Sequence, residues 1–282
     1  SGVDVVMVGS SAIVANQGSQ TLQSISLGDD GPTTMALAEP ASTATCGAPT
    51  RLTNYGIFLL TACGTYYITN DTRSGLGSPT YVNTGDTVND LAAASDNVYL
   101  AHNGGLSVYS LTTNTQVGST IGGIGTPTAI ALTDDTLLIT SNTGIHVFDI
   151  SSPNSPSLVR SYNPSGTEVD VDIDGAYAFF VGNNIQAILL SELTDPTNTT
   201  PTVQQLNTQT AGRIEVNDGY AHLGANGESS SDEYQLVKVR DPANMSAVTM
   251  SDALQNGNFG GGFGLYDGWV LQIDGTNLNA IH

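Results

Sequence analysis

The sequence predicts an all-β fold, namely a seven-bladed β-propeller built from four-stranded antiparallel blades. Short apolar runs that follow a turn recur with a period near 40 residues along the 282-residue chain. Gly, Asn, Asp and Pro separate these runs, which have the length of strands. Helical periodicity is almost absent, and only M-S-D-A-L-Q (250–255) suits one helical turn. Such a repeat of short strands is typical of propeller blades. The apolar runs begin at Ala12, Ile57, Val98, Leu137, Tyr177, Tyr220 and Trp269.

The fourth unit shows the order of strands within a blade. In residues 126–162 a first strand ends in a polar turn, and an apolar second strand ends in S-N-T-G. An alternating third strand then leads through a Pro-containing turn to a fourth strand. Pro153 and Pro156 lie in that turn, where a missing N–H costs no ladder hydrogen bond. The repeat predicts a single domain with seven blades at about 1–42, 43–85, 86–124, 125–166, 167–209, 210–258 and 259–282.

The fourth and fifth units resemble a known family. The stretch F-D-I-S-S-P-N-S-P-S-L-V-R-S-Y, followed by E-V-D-V-D-I-D-G-A-Y-A-F-F-V, is similar to the LVIVD-type β-propeller repeat. The match is good for units four and five, partial for three and six, and weak for the others. The resemblance implies a propeller fold and a secreted or surface-attached protein; it implies no particular chemistry, because propellers host unrelated functions.

The last unit is predicted to be incomplete. Residues 263–282 supply only a first, second and third strand by the order of the repeat. The chain enters directly on the first strand of unit one at Val3, so we expect no N-terminal strand to complete the last blade. An exposed strand edge is a template for another chain. We therefore expect strand addition at this edge by a second subunit or another protein, with a three-stranded last blade or a further C-terminal segment as the alternatives.

Composition excludes two classes of partner. The chain has 26 Asp plus Glu against 6 Lys plus Arg, a net charge of −20. Nucleic-acid binding is excluded because there is no basic surface to neutralise phosphates. Anionic membrane surfaces are disfavoured for the same reason, and no apolar run is long enough for a membrane helix. A surface of Ser, Thr, Asn, Gln and Gly is common on secreted and surface-layer proteins.

The two cysteines are spaced for a cross-strand disulfide. If a hairpin turns at residues 54–55, Cys46 and Cys63 lie directly opposite each other on neighbouring strands. A disulfide favours an oxidising, extracytoplasmic compartment. The alternative is a pair of buried free thiols.

The stretch V-D-V-D-I-D-G (169–175) is the first candidate site. It begins like an EF-hand calcium loop, but position twelve counted from Asp170 is Val181 rather than Glu, and no helix flanks it. The alternation instead predicts the first strand of blade five, ending in an Asp-Gly turn. Asp170 and Asp172 then share a face where blades pack. The sequence leaves three arrangements open: the two carboxylates pair, are hydrated, or bind a cation.

The other candidate residues are an acidic loop and three sequons, of which Asn198 and Asn244 are predicted to lie in turns between strands. Glu228, Asp232 and Glu233, in the acidic loop 225–234, offer hard oxygen ligands for Ca²⁺, although such a loop is more often simply solvated. Three N-x-S/T sequons make candidate glycosylation sites, at Asn70, Asn198 and Asn244.

The histidines and the Gly-rich segment predict no site. His102 and His222 fall near equivalent ends of second strands in blades that are not neighbours, so a shared metal is disfavoured. His146 and His282 are interpreted as structural too. The segment G-N-F-G-G-G-F-G (257–264) lacks the spacing of a phosphate-binding loop.

These observations favour a non-enzymatic extracellular or cell-surface propeller that serves protein–protein assembly or adhesion, as a repeating subunit of a filament or surface layer. The alternative is a secreted propeller that binds, or acts on, a carbohydrate or other small ligand at its axial face. A soluble intracellular scaffold is disfavoured by the cysteine spacing. The sequence contains no G-x-S-x-G, H-E-x-x-H or C-x-x-C motif, so it predicts no catalytic residue and no cofactor other than Ca²⁺.

Overall fold

A computed structural model of the chain shows an all-β protein. It describes residues 2–28, 31–37, 41–42, 46–73, 75–164, 168–208, 211–225, 234–248, 263–266, 269–274 and 277–281. The strands form seven antiparallel sheets, numbered here sheet 1 to sheet 7 in chain order. In sheets 2 to 7, strands that are consecutive in sequence are also neighbours in space, which is the arrangement that short turns between strands favour.

The first three sheets span residues 2–121. Sheet 1 contains β1 (Gly2–Val8), β2 (Ser11–Asn16), β3 (Thr21–Gly28), β4 (Gly31–Leu37) and β5 (Ala41–Ser42); both β4 and β5 pair with β3. Sheet 2 contains β6 (Pro49–Tyr55), β7 (Phe58–Cys63), β8 (Tyr66–Asp71) and β9 (Thr80–Asn83). Sheet 3 contains β10 (Val88–Ala94), β11 (Asn97–His102), β12 (Gly105–Ser110) and β13 (Gln116–Ile121).

The next three sheets span residues 127–247. Sheet 4 contains β14 (Pro127–Leu132), β15 (Thr136–Ser141), β16 (Gly144–Asp149) and β17 (Ser157–Tyr162). Sheet 5 contains β18 (Asp170–Asp174), β19 (Tyr177–Val181), β20 (Ile185–Leu189) and β21 (Val203–Leu206), with a one-turn helix α1 (Leu190–Thr194) between its last two strands. Sheet 6 contains β22 (Ala211–Asn217), β23 (Tyr220–Ala225), β24 (Tyr234–Lys238) and β25 (Ser246–Ala247), with a 3-10 turn at Pro242–Asn244.

Sheet 7 has three strands among the described residues: β26 (Phe263–Tyr266), β27 (Trp269–Asp274) and β28 (Asn277–Ile281). The predicted all-β propeller with four-stranded antiparallel blades is therefore confirmed, but the structure shows six complete blades rather than seven. The helical turn proposed at residues 250–255 lies outside the described residues. The described chain contains no helix long and apolar enough to cross a membrane.

The chain forms two compact units, Ser1–Ala93 with Phe259–His282 and Ala94–Asn258. In the second unit the side chains of β19 alternate between two cores. Phe179 and Val181 pack with residues of sheet 6, whereas Phe180 packs with residues of sheet 4. A strand that is apolar on both faces is thus explained by sheets packed on both of its sides.

The predicted disulfide between Cys46 and Cys63 is confirmed, with a Cα–Cα distance of 5.6 Å. The register from which it was predicted is wrong. Tyr55 pairs with Phe58, so the hairpin turns at residues 56–57, and Gly56 adopts a φ of 59° that glycine tolerates best.

Because the hairpin turns later than predicted, a residue other than Cys46 lies opposite Cys63. Its register partner is Pro49, and the register shifts between Pro49 and Arg51. Cys46 precedes β6 and reaches Cys63 from the segment that leads into the strand. The disulfide therefore holds the segment that leads into β6 against the end of β7. It does not join two residues that lie directly opposite each other on neighbouring strands.

Removal of this disulfide is expected to lower stability without changing the fold. The bridge closes a loop with a sequence separation of 17 residues, and such a loop corresponds to about 3 kcal/mol of chain entropy in the unfolded state. Urea unfolding of the Cys46→Ser/Cys63→Ser double variant should show this loss relative to the oxidised protein. Equal stability of the two would contradict it.

Candidate functional site

The two aspartates of the candidate site, Asp170 and Asp172, lie on β18, the first strand of sheet 5. Asp170 Oδ2 accepts a hydrogen bond from the backbone N–H of Ile214 at 3.0 Å. Asp172 Oδ2 accepts one from the backbone N–H of Val216 at 2.6 Å. Both amides belong to β22, the first strand of sheet 6. We call each such contact a carboxylate brace: an Asp on the first strand of one sheet accepts from an N–H on the first strand of the next sheet.

The spacing of the braces follows from the strand geometry. Because β22 is the edge strand of sheet 6, every second N–H on it has no ladder partner within the sheet. Side chains on β18 also repeat every second residue. Two carboxylates at positions i and i+2 therefore match two amides at positions i and i+2. Since both braces advance in the same direction, β18 and β22 run parallel.

The braces bear on the three arrangements that the sequence left open, which are pairing, hydration and a bound cation. Asp172 uses both oxygens on backbone amides, because Oδ1 also accepts from Ile173 N at 2.8 Å. Asp170 is buried, and a backbone amide is its partner across the two sheets. In the part of the chain that the structure describes, no three His, Cys, Asp or Glu side chains form a group that could hold a metal ion. A cation at Asp170 and Asp172 stays a prediction.

A third brace, at Asp4, was missed in the sequence. Asp4 lies on β1, and its Oδ2 accepts from the N–H of Leu52 on β6 at 2.7 Å. On the same pair of strands Asn54 Nδ2 donates to the carbonyl of Met7 at 3.3 Å. A signal was present: in both places an Asp in a V-D-V stretch is followed, one repeat later, by an Arg and an aliphatic residue. These pairs are Arg51–Leu52 and Arg213–Ile214.

Burial dominates the electrostatics of the braces. It raises the pKa of Asp4 to about 6, although the charge of Arg51 and the N–H groups of Leu52 and Val5 act in the opposite direction. Arg51 Nε also lies 3.6 Å from Asp90 Oδ1. Burial raises the pKa of Asp172 to about 6 as well, against the hydrogen bonds that its carboxylate accepts. These carboxylates take up a proton in mildly acidic solution.

Two histidines take part in hydrogen bonds inside single sheets. His102 ends β11, and its Nε2 lies 2.8 Å from Ser107 Oγ, while Gly104 N donates to its Nδ1 at 3.1 Å. In sheet 4 the same pair occurs with its residues exchanged, because Ser141 ends β15 and its Oγ lies 2.9 Å from His146 Nε2. Both imidazoles are buried. Each polar pair thus links the second and third strands of its own sheet. The arrangement is the same in sheets 3 and 4.

His222 is not equivalent to His102, contrary to the sequence-based expectation. It is the third residue of β23, whereas His102 is the last residue of β11. Its Nδ1 lies 2.6 Å from Tyr234 Oη, and burial lowers the pKa of His222 to about 4. The ring is therefore neutral at neutral pH.

Several predicted candidates lie outside the described residues. These are the proposed calcium ligands Glu228, Asp232 and Glu233, together with His282 and most of the Gly-rich segment 257–264.

The three sequons differ in their exposure. Asn70 is fully buried, and its Nδ2 donates to the carbonyl of Gly77 at 2.9 Å, so the folded chain offers no room for a glycan there. Glycosylation at Asn70 is therefore not supported. Asn198 is half-buried in the turn before β21, and Asn244 is exposed in the 3-10 turn of sheet 6. Only these two positions remain candidates for N-glycosylation.

Comparison with known proteins supports the fold alone. No protein-family model matches the chain, and neither does any curated protein sequence. Among solved structures, the chain is similar to streptogramin B lyase, with a TM-score of 0.71, 12% identity, and coverage of 99% of this chain and 93% of that one. It is similar to the WD40 β-propeller domain of Doa1, with a TM-score of 0.69, 12% identity, and coverage of 99% and 91%. The β-propeller domain of Myceliophteria thermophila Cps50 (Swd1) gives a TM-score of 0.69, 16% identity, and coverage of 98% and 97%.

Truncation of a brace should destabilise the protein. Asp170→Ala removes a charge-assisted hydrogen bond and leaves the buried N–H of Ile214 without this acceptor, which is expected to cost about 2 kcal/mol. Asp134→Ala, at an exposed turn residue, is the matched control and should cost little. Urea unfolding at neutral pH measures both. Equal losses in the two variants would contradict a structural role for the brace.

The brace at Asp4 should make stability depend on pH. Because the pKa of Asp4 is raised to about 6 in the folded state, compared with about 4 in an unfolded chain, the folded state binds this proton more tightly. The resulting stabilisation is complete below about pH 4 and is lost as the pH rises through 6, and it amounts to about 3 kcal/mol.

The measurement is urea unfolding of the wild type and of Asp4→Asn between pH 4 and pH 7. The advantage of the wild type over the variant should shrink across this range, since the amide does not titrate. A constant difference in stability would show that the pKa of Asp4 is the same in the folded and the unfolded state, which would contradict the prediction.

Proposed function

We propose that this protein is a non-enzymatic, extracytoplasmic β-propeller that serves protein–protein assembly, with sheet 7 as an incomplete seventh blade. The observation that carries the proposal is the contrast between sheet 7, with three strands in the described residues, and the other six sheets, which have four or five. We assign the outer edge of β28, which has no partner strand among the described residues, to strand addition by a second copy of the chain, which makes the protein a repeating subunit.

The strand β28 is suited to accept another strand. Its five residues pair with β27 in an unbroken register, from Val270 with Ile281 to Asp274 with Asn277. Its sequence, N-L-N-A-I, contains no charged residue and no proline. Charges, prolines and bulges are the usual means by which an edge strand is protected from pairing.

The outer strands of two other sheets differ in this respect. The pairing of β13 with β12 shifts register between Leu106 and Val108, and that of β17 with β16 shifts between Val147 and Phe148. The strand β17 also carries the charged Arg160. Such irregular edges disfavour further pairing. The outer strands β9 and β21 pair without a shift, so the assignment to sheet 7 rests on its lower number of strands.

The proposed compartment rests on independent features. The disulfide between Cys46 and Cys63 is compatible with an oxidising compartment, and the surface is poor in Lys and Arg. We also propose that the chain is related to the LVIVD-type repeat, on the residues of units four and five, and that Asn198 and Asn244 are its glycan acceptors.

Two neighbouring proline variants test the assembly edge. Because N–H directions alternate along a strand, one of Asn279→Pro and Ala280→Pro removes an N–H directed at β27, and the other removes one directed at the free edge. We expect the wild type to sediment as an oligomer. The variant at the free edge should be monomeric with an unchanged melting temperature, whereas the other should have a lower melting temperature.

Sedimentation velocity and thermal unfolding of the three proteins give the readout. The variant directed at β27 serves as the control for a merely destabilised sheet. A wild type that sediments as a monomer at all accessible concentrations would contradict the proposal.

A further inference from the structure

A chain of hydrogen bonds in sheet 4 ends in an exposed serine. Ser161 Oγ lies 2.8 Å from His146 Nδ1, and His146 Nε2 lies 2.9 Å from Ser141 Oγ. The imidazole is 2% exposed, whereas Ser161 is exposed on β17, the outer strand of the sheet. We call these three residues the Ser161 relay. It has no part in the carboxylate braces or in strand addition at β28.

Strand register brings the Ser161 relay together. Ser161 on β17 is the register partner of His146 on β16, and such partners carry their side chains on the same face, about 5 Å apart. Ile139 is the partner of His146 on β15, so Ser141 lies on that face two residues further along. The imidazole therefore connects the last residue of β15 to the exposed strand.

The partners of Ser141 determine which nitrogen of the imidazole carries the proton. Ser141 Oγ donates to the carbonyl of Gly144 at 3.2 Å and accepts from the N–H of Thr143 at 3.0 Å. Because its single proton is used on Gly144, Ser141 accepts from His146, and Nε2 is the protonated nitrogen. Thr143 Oγ1 is a second, longer contact of Nε2, at 3.2 Å. Nδ1 then presents a lone pair to Ser161, whose hydroxyl is the donor.

The surroundings of His146 suit a general base. Burial lowers the pKa of His146, so the ring is neutral at neutral pH and able to take up a proton. The carbonyl of Ile124 acts on this pKa in the opposite direction, because it stabilises the protonated ring. The imidazolium that forms when Ser161 loses its proton therefore has a fixed partner, as the imidazolium of a nucleophile–base pair requires.

We propose that Ser161 is the acceptor of an acyl group from a thioester, with His146 as the general base that activates it. Ser161 Oγ forms a bond to the carbonyl carbon, and the carbon–sulfur bond breaks without oxidation or reduction. The hydroxyl proton passes to His146 Nδ1 and then to the departing thiolate, so the products are an O-acyl serine and a thiol.

The choice of a thioester follows from the groups around the ring. Within the described part of the chain, the ring of His146 is contacted by the hydroxyls of the relay and of Thr143 and is close to the carbonyl of Ile124. None of these is an acid that could protonate a poor leaving group. A thiol, with a pKa of about 8.5, leaves as a thiolate without such help.

The acyl group is expected to stay on the protein. Ser161 Oγ covers Nδ1 of a ring that is otherwise buried, so a water molecule must displace the acylated oxygen in order to reach the base. The reaction is therefore a modification of this chain and not the turnover of a substrate, which agrees with a non-enzymatic protein.

Two other residues serve as matched controls. Ser157 is exposed on the same strand, but its register partner is Asp149 and not a histidine. His102 in sheet 3 is also buried beside a serine, but its Nδ1 already accepts from the N–H of Gly104. Neither residue belongs to a pair in which an imidazole lone pair faces an exposed hydroxyl.

Incubation with S-acetyl-N-acetylcysteamine, a small acetyl thioester, tests the site. Peptide mass spectrometry should show acetylated Ser161 in the wild type, in Ser157→Ala and in His102→Gln. Alkaline hydroxylamine should remove this acetyl group, because it cleaves an ester but not the amide formed at Lys238. Ser161→Ala should lack the hydroxylamine-sensitive product, and His146→Gln should form it about 100-fold more slowly.

The pH profile distinguishes activation of Ser161 from mere exposure. Acetylation of Ser161 should be nearly constant above about pH 7, where His146 is already neutral, whereas the hydroxide-dependent acetylation of Ser157 should rise with pH. Equal rates at the two serines in the wild type, or an unchanged rate in His146→Gln, would overturn the proposal. If thermal unfolding shows that His146→Gln does not fold, the comparison of the two serines in the wild type decides.

Discussion

The contact that joins sheet 1 to sheet 2, and sheet 5 to sheet 6, is a hydrogen bond from a backbone N–H to a carboxylate on the first strand of the preceding sheet. A first strand is always an edge of its sheet, and half of its amides point away from the ladder. Those amides lie in a region that is too buried for water to satisfy them cheaply. Asp4 and Asp170 provide acceptors at matching positions of two different sheets, and Asp172 provides a second acceptor two residues further along β18. The apolar core between sheets 5 and 6 includes Ile214 and Val216 themselves, so the braced strand also contributes to the packing between the two sheets.

The same constraint explains part of the chain's unusual composition. Acidic side chains are abundant and basic ones scarce, yet some of the Asp residues are not surface groups. They replace the missing ladder partners of a neighbouring strand. Within single sheets, neutral polar pairs have the corresponding role: His102 with Ser107, and Ser141 with His146, link second and third strands in the interior.

The sequence predicted the repeated strands because apolar alternation and turn residues are local signals. The strand at Asp170–Asp174 and its Asp-Gly turn are of this kind. It could not predict contacts that depend on register between distant segments. The disulfide was predicted from a turn at residues 54–55, and the positive φ of Gly56 moved the turn without breaking the bond. Asp4 was overlooked because its partner is a backbone amide 48 residues away, which no side chain reveals. Helix α1 was missed because five residues are too few to show a helical period.

The braces also change what the slow exchange of an amide hydrogen reports in this protein. In an ordinary sheet, a slowly exchanging amide hydrogen reports on separation of a strand from its own neighbour. The hydrogens of Ile214 and Val216 are instead held by sheet 5, although they belong to sheet 6. Their exchange requires the two sheets to part, and it proceeds even while β22 and β23 stay paired. The exchange rates at these two positions can be compared with those of the β22 amides that bond to β23. The comparison distinguishes opening within a blade from separation of two blades.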